Sequence, residues 1–379
     1  MQDDNTYELA IVGGGLAGLA LSIQMAREGY KVILFEKEEY PFHRVCGEYI
    51  SLESWDFLQR LGVDLDSLNV SHIRRLCVSA VNGRSFELEL PLGGFGISRY
   101  KLDHTLVQIA KQRGVILYEQ TRVNDIQFSE GYFKIESSKG NFKARVAAGC
   151  HGKRSNVDVK WKRPFIVAKK NKLNNYIGIK YHIRYNFPND QIALHNFKKG
   201  YCGISKVEDD QYCLCYLTTA DNLQGSSNDI KKMEQTILSA NPHLKKIFND
   251  CKMIREEPVI ISQISFDKKE LIEDHVLMIG DAAGMITPLC GNGMSMALHA
   301  SKIAAEEIRQ FLNGTISREL MEQNYSAEWK ENFEIRLRTG RMLQRLFNNA
   351  WLTTLMIRIG RSFPGLIRTL VRKTHGHPF

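Results

Sequence analysis

Gly13, Gly15 and Gly18 follow the apolar run Leu9–Val12 in the spacing G-x-G-x-x-G. That spacing suits one task, bringing bare backbone against a pyrophosphate. Gly13 permits a tight turn, Gly15 lets the chain approach the phosphates, and Gly18 lets the helix that opens with Leu16 and Ala17 close on the strand. Free N–H groups and the helix dipole favour an anion at such an N-terminus. Leu16, Leu19, Ala20, Ile23 and Ala26 recur at helical spacing, Gly29 stops the helix, and Val32–Phe35 reads as a second strand running into Glu36 and Lys37. A carboxylate at that strand end can accept hydrogen bonds from a ribose diol. Strand, glycine turn, helix, strand and acid make a dinucleotide-binding unit. Three glycines and Glu8 argue against a membrane anchor in the same stretch. Asp3 and Asp4 stand where a secretion signal needs basic residues, so no such signal is expected.

Two more stretches hold acids in chemically suggestive company. In "GDAAGMITPLCGNGMSMAL", Gly280-Asp281 ends a buried strand, and Asp281 there can accept hydrogen bonds from hydroxyls. Pro288 fixes a turn, and Gly291-Asn292-Gly293 leads backbone N–H groups into a helix at Met294. In "FHRVCGEYIS", Arg44 is suited to a phosphate and Glu48 is the nearest acid. Burial would raise the pKa of Glu48 and make it a proton donor or acceptor near neutrality. It could equally cap the helix from Leu52. Cys46 reads either as a second proton donor or as a small buried hydrophobe.

These residues need a scaffold of two kinds. The glycine motifs require βα units, at the start of the chain and again around residue 280. Between them "YIGIKYHIRY", "YCGISKV" and "YCLCYLTT" read as strands, with one helical stretch over Asp229–Ser239. The expected fold class is α/β (α+β). A Rossmann-like nucleotide-binding domain (1–76, 100–156 and 262–330) is interrupted by a mostly antiparallel β-sheet substrate domain (77–99 and 157–261). A basic helical segment, 331–379, follows. Tyr201, Tyr212, Tyr216, His182 and His195 fall in the β-rich insertion, as chamber lining or as aromatic packing.

On these residues the chain resembles the FAD-dependent oxidoreductases of the para-hydroxybenzoate hydroxylase fold, and within them the geranylgeranyl reductase branch. The glycine fingerprint with Glu36, "FHRVCGEYIS" (similar to P-x-x-K/R-x-C-G), "ISRYKLDHTL" and "GDAAGMITPLCGNGMSMAL" carry the match across residues 9–301. The last is very like G-D-A-A-G-x-x-x-P-x-x-G-x-G. The resemblance implies FAD held by Gly13, Gly15, Leu16, Ala17, Gly18, Glu36, Lys37, Arg44, Arg99 and the backbone of Val123. It also implies Gly280 and Asp281 at the ribityl chain, Pro288, Gly291, Asn292, Gly293 and Met294 at the N1–C2=O2 edge of the flavin, and Cys46-Gly47 along its ring. Glu48 and Cys46 are then the catalytic candidates, NADPH or NADH the electron donor, and a hydrophobic small molecule the substrate.

The expected reaction is monooxygenation of an aromatic or polyketide-like molecule. The alternative is saturation of double bonds in an isoprenoid or lipid. A halogenase would be expected to carry W-x-W-x-I-P, and no two tryptophans are so paired. A non-catalytic flavoprotein has little use for so large an insertion. His151, in "GCHGKRS", stands where relatives carry an aspartate tied to flavin reduction, or is a simple loop residue.

Composition narrows the partners. Net charge is +9, and residues 331–379 hold nine Lys/Arg against Glu331 and Glu334. The rest of the chain is nearly neutral, so a nucleic-acid partner is not expected. The eight cysteines include no C-x-x-C pair, so no metal site is expected and a reduced, cytoplasmic protein is. Leu343, Leu346, Phe347, Trp351, Leu355 and Ile359 interleave with Arg345 and Arg358. This pattern gives the expectation of peripheral contact with an anionic inner membrane face, the alternative being a helical lid.

Overall fold

The computed structural model describes residues 6–167, 176–347, 349–372 and 374–379. Asp3 and Asp4, and Lys373 of the basic segment, lie outside them. Two sheets share the molecule. The first takes its strands in the spatial order Ile272–Glu273, Val276–Met278, Gly140–Gly149, Thr6–Val12, Val32–Phe35 and Ile116–Tyr118. Its centre is parallel, Leu9–Val12 pairing Val32–Phe35 on one side and Val146–Gly149 on the other. Buried on both faces, these central strands are near-continuous Val, Ile, Leu and Ala, as parallel strands covered by helices must be. Leu16–Arg27 and Gly293–Leu312 are helices packed side by side.

The second sheet runs Lys252–Met253, Tyr176–Arg184, Tyr212–Thr219, Gly200–Lys206, Gln191–Phe197, Ser71–Ser79, Ser85–Gly96 and Tyr49–Ser51, with Val259–Ile264 also on Tyr176–Arg184. All pairings in it are antiparallel except Gln191–Phe197 with Ser71–Ser79. The mixed α/β class and the helical C-terminal part are as expected. Two of the expected borders fall within single elements. Ser71–Ser79 runs across the expected border at 76/77, and the helix Arg318–Phe347 across that at 330/331. Both are single hydrogen-bonded elements, and neither hydropathy nor turn residues mark a break within them. The expected helical stretch Asp229–Ser239 is Ile230–Thr236 with a further turn, and a second helix, Pro242–Asp250, follows it.

Alternation sets the two faces of the second sheet. Ile177, Ile179, Tyr181 and Ile183 share a separate apolar cluster with Tyr212, Leu214, Tyr216, Met233 and Leu244. The opposite face presents Gly178, Lys180 and His182 towards the nucleotide-binding part. A Cβ on Gly178 would lie 2.9 Å from Val45, which shows how closely the loop before Cys46 is laid on this sheet.

Candidate active site

Three parts of the chain converge on Glu48. Its backbone lies in the left-handed region, φ +55°, and its carboxylate is fully buried. Oε1 accepts from Lys180 Nζ at 2.7 Å and from the Arg99 backbone N–H at 2.9 Å; Oε2 lies 2.5 Å from His182 Nε2. A β-strand puts every second residue on one face, so Lys180 and His182 arrive together. Burial alone would raise the Glu48 pKa. Lys180 and His182 overcome it and hold the carboxyl down at about 2. This reverses the upward shift expected for Glu48 as a proton donor or acceptor near neutrality: the carboxylate has a buried ammonium as counter-charge. Burial lowers the Lys180 pKa, but Glu48 more than offsets it and the net shift is upward.

The rest of the cluster follows from strand register. His182 is opposite Cys213, which is opposite Ser205; Lys180 is opposite Cys215, then Gly203; Gly178 is opposite Leu217, then Tyr201. The wall is therefore polar in two rows and apolar in the third, where Tyr201 meets Phe347 edge-on. Cys213 Sγ donates to the Cys46 carbonyl at 3.3 Å, and Ser205 Oγ to that of Gly47 at 3.4 Å. Cys46 is half-buried, its thiol pushed up by burial. His43 stacks on Tyr100 and meets His182 edge-on, and burial with nearby Lys180 lowers it to about 4. Glu48, His182 and Cys213 approach one another closely enough to ligate a metal ion. Lys180 already supplies the cation, and burial holds the Cys213 thiol protonated.

Sequence alone singles out Cys46, Glu48 and His182, and misses Lys180. Its signal was available: a lysine at the same strand parity as His182, inside an otherwise apolar "YIGIKYHIRY". Tyr212 and Tyr216 belong to the far face, where Tyr216 donates to Glu234 at 2.6 Å. His195 is also elsewhere, against Ser79 and stacked on His243.

The cofactor residues gather at two helix N-termini. The helices beginning at Leu16 and Gly293 have Gly15 and Asn292 as N-caps, and neither receives a side-chain cap. Their first N–H groups are thus available to an anion or a carbonyl oxygen. A Cβ on Gly18 would lie 2.1 Å from the Gly13 carbonyl oxygen, whereas one on Gly15 would meet only Arg99, at 3.9 Å. Leu16 and Ala17 are buried in the helix, and Ala17 lies under Gly280, whose φ is +66°. Glu36 ends its strand as expected. Its Oε2 accepts from Gly14 N and from Arg44, both at 2.9 Å. Arg44 also reaches Asp103 at 3.2 Å, so two carboxylates hold the guanidinium expected at a phosphate. Arg99, bidentate on the same Asp103, is the cation beside Gly15.

Lys37 is exposed and pairs with Glu38. Val123 is buried, and its carbonyl accepts from Asn156 at 2.8 Å. Among the described residues no donor reaches the Asp281 carboxylate, whose pKa desolvation raises against the pull of Lys269 and Arg99. Pro288 is exposed, Gly291 turns at φ +68°, Gly293 opens the helix and Met294 is buried. A Cβ on Gly47 would meet nothing within 4 Å. Uncapped helix ends, an unpartnered carboxylate and open glycines fit a flavin dinucleotide. His151 Nε2 lies 3.0 Å from Asp158, which also pairs with buried Arg163.

Comparison with known proteins adds a family. Residues 6–333 match the family model described as FAD binding domain. Conditioned medium factor receptor 1 of Dictyostelium discoideum is 26% identical, over 87% of this chain and 69% of its own length. Digeranylgeranylglycerophospholipid reductase of Methanococcus vannielii is 22% identical, over 86% of this chain and 83% of its own. Among solved structures, the flavin-dependent brominase Bmp2 superposes with a TM-score of 0.79 at 18% identity, over 97% of this chain and 93% of that one. That likeness speaks for the fold.

Proposed function

We propose, for a chain that belongs to the FAD binding domain family, that its FAD-dependent oxidoreductase chemistry is the monooxygenation of a hydrophobic aromatic or polyketide-like molecule, with NADPH or NADH as electron donor. When bound, FAD supplies the redox chemistry, and the protein's part is to orient, to exclude water and to govern protons. The observation that carries the reading is the proton inventory beside Cys46-Gly47. Glu48 is an anion, Lys180 retains its proton against it, the Cys46 thiol is pushed up, and His43, lowered to about 4, is neutral near pH 7. His182 is committed to Glu48 by a hydrogen bond. Reducing an isolated double bond needs an acid that releases a proton to carbon near neutral pH. Oxygen transfer needs a place from which water and stray protons are withheld. The inventory matches the second need, and the apolar row Gly178–Leu217–Tyr201 suits an apolar substrate.

Double-bond saturation is the second reading. It is favoured by Lys180, a proton carrier on the chamber wall, and by likeness to the archaeal reductase. Turnover with NADPH under labelled oxygen, on phenolic and isoprenoid candidates, separates the two. A product heavier by one labelled oxygen is expected. A product with two extra hydrogens and no label overturns the proposal.

A further inference from the structure

The helices Ala350–Ser362 and Pro364–Arg372 lie on the strand Ser85–Gly96, the first pressed against it through Gly360, whose Cβ would come within 2.8 Å of the Phe86 ring. Thr353, Ile357 and Ile367 are buried. The first helix is fixed at its start. Asn349 caps the Trp351 and Leu352 N–H groups, and Asn196 donates to Phe347 O at 3.1 Å and Thr353 Oγ1 at 2.8 Å. Large apolar side chains face outward. Trp351 is 70% exposed, Phe363 65%, Leu366 61% and Leu355 38%. Trp351, Leu355 and Arg358 follow i, i+4, i+7, so they form one stripe opposite Thr353, Ile357 and Gly360.

This stripe differs from the one periodicity suggests in the sequence. Leu343 and Phe347 of that set are buried in the core, because the chain breaks between the helices ending at Phe347 and starting at Ala350. The charge carried by these two helices has one sign. Arg358, Arg361, Arg368 and Arg372 are exposed, and no Asp or Glu occurs after Glu334. Large aromatics amid arginines, on helices packed from behind, complement a surface that is negative outside and oily beneath. Among the described residues no helix is long and apolar enough to cross a membrane.

We infer that this face docks on an anionic phospholipid bilayer, with Trp351, Phe363 and Leu366 entering the interface and the arginines among the headgroups. The inference stands apart from the choice of reaction. The test uses the full chain with FAD bound, floated with phosphatidylcholine vesicles with or without phosphatidylglycerol, while tryptophan emission is followed. Partition onto the anionic vesicles alone is expected, with a blue shift that Trp351→Phe removes, since Trp55 and Trp161 are half-buried and Trp329 is buried. Arg358→Gln and Arg361→Gln should each weaken partition about fivefold, and added salt should weaken it further. Trp351→Ser with Phe363→Ser should abolish it while FAD content and thermal unfolding stay unchanged. Failure to float with anionic vesicles at low salt overturns the inference. So does flotation undiminished by the double serine variant, or a dimer in solution that this variant dissociates.

Discussion

Glu48 and Lys180 are each other's solvent. Neither sees water, and their hydrogen bond at 2.7 Å replaces hydration for both. Replacing one partner of such a pair leaves a buried uncompensated charge, at a cost of about 3–5 kcal/mol. Glu48→Gln is therefore expected to lose that much in urea unfolding, and adding Lys180→Met should recover most of it. A double variant no more stable than the single would show that the pair is not coupled. Glu36 makes a different argument. It holds Gly14 N and Arg44 from the strand end where a ribose is expected. Losing a charge-assisted hydrogen bond costs about 1.5–3 kcal/mol, or roughly ten- to a hundredfold in affinity. Glu36→Ala should purify depleted of yellow colour, and unchanged FAD affinity by titration would remove Glu36 from the site.

Among the elements, the strand Tyr176–Arg184 does most to define the chamber, with aliphatics and Tyr181 behind and Gly178, Lys180 and His182 in front. Its alternation could be read from the sequence; the direction each side faces could not, because both carry buried residues. The glycine motifs were plainer, since a tight turn and a close helix admit little else, and Gly13, Gly18 and Gly280 sit as the motifs require. Arg44's second carboxylate partner was beyond reach, because Asp103 comes from a helix more than fifty residues on. The tail helices depend on a contact no motif announces. Gly360→Ala would push a methyl into the buried Phe86 ring, and overpacking of this kind costs about 1–3 kcal/mol. A lowered thermal midpoint is expected, with Trp351 emission changing ahead of the main transition. An unchanged midpoint would mean that the helix shifts freely on the sheet.

For the whole molecule, histidines kept neutral by desolvation shape the response to acid. Burial lowers His299 and His43 to about 4 and His195 to about 3. Each folded-state value is below the ordinary 6.5, so protonation favours the unfolded chain. Their stabilisation is complete above pH 6.5 and drains away as pH falls towards 4. Glu48, held at about 2, adds a second loss from about pH 4.5 downward as its carboxylate is neutralised. Thermal midpoints should fall between pH 7 and 5, and His299→Gln with His195→Asn should flatten that slope. A slope unaltered by both would place the acid sensitivity elsewhere. The parallel sheet carries a consequence of another sort. Gly140–Gly149 receives Val276–Met278 as a neighbour only after the whole β-rich insertion has been made. During synthesis the glycine turn therefore waits on a sheet with an open edge, a template for mispairing between nascent chains. Ribosome-bound chains stopped before residue 276 should need chaperone cover that longer ones shed.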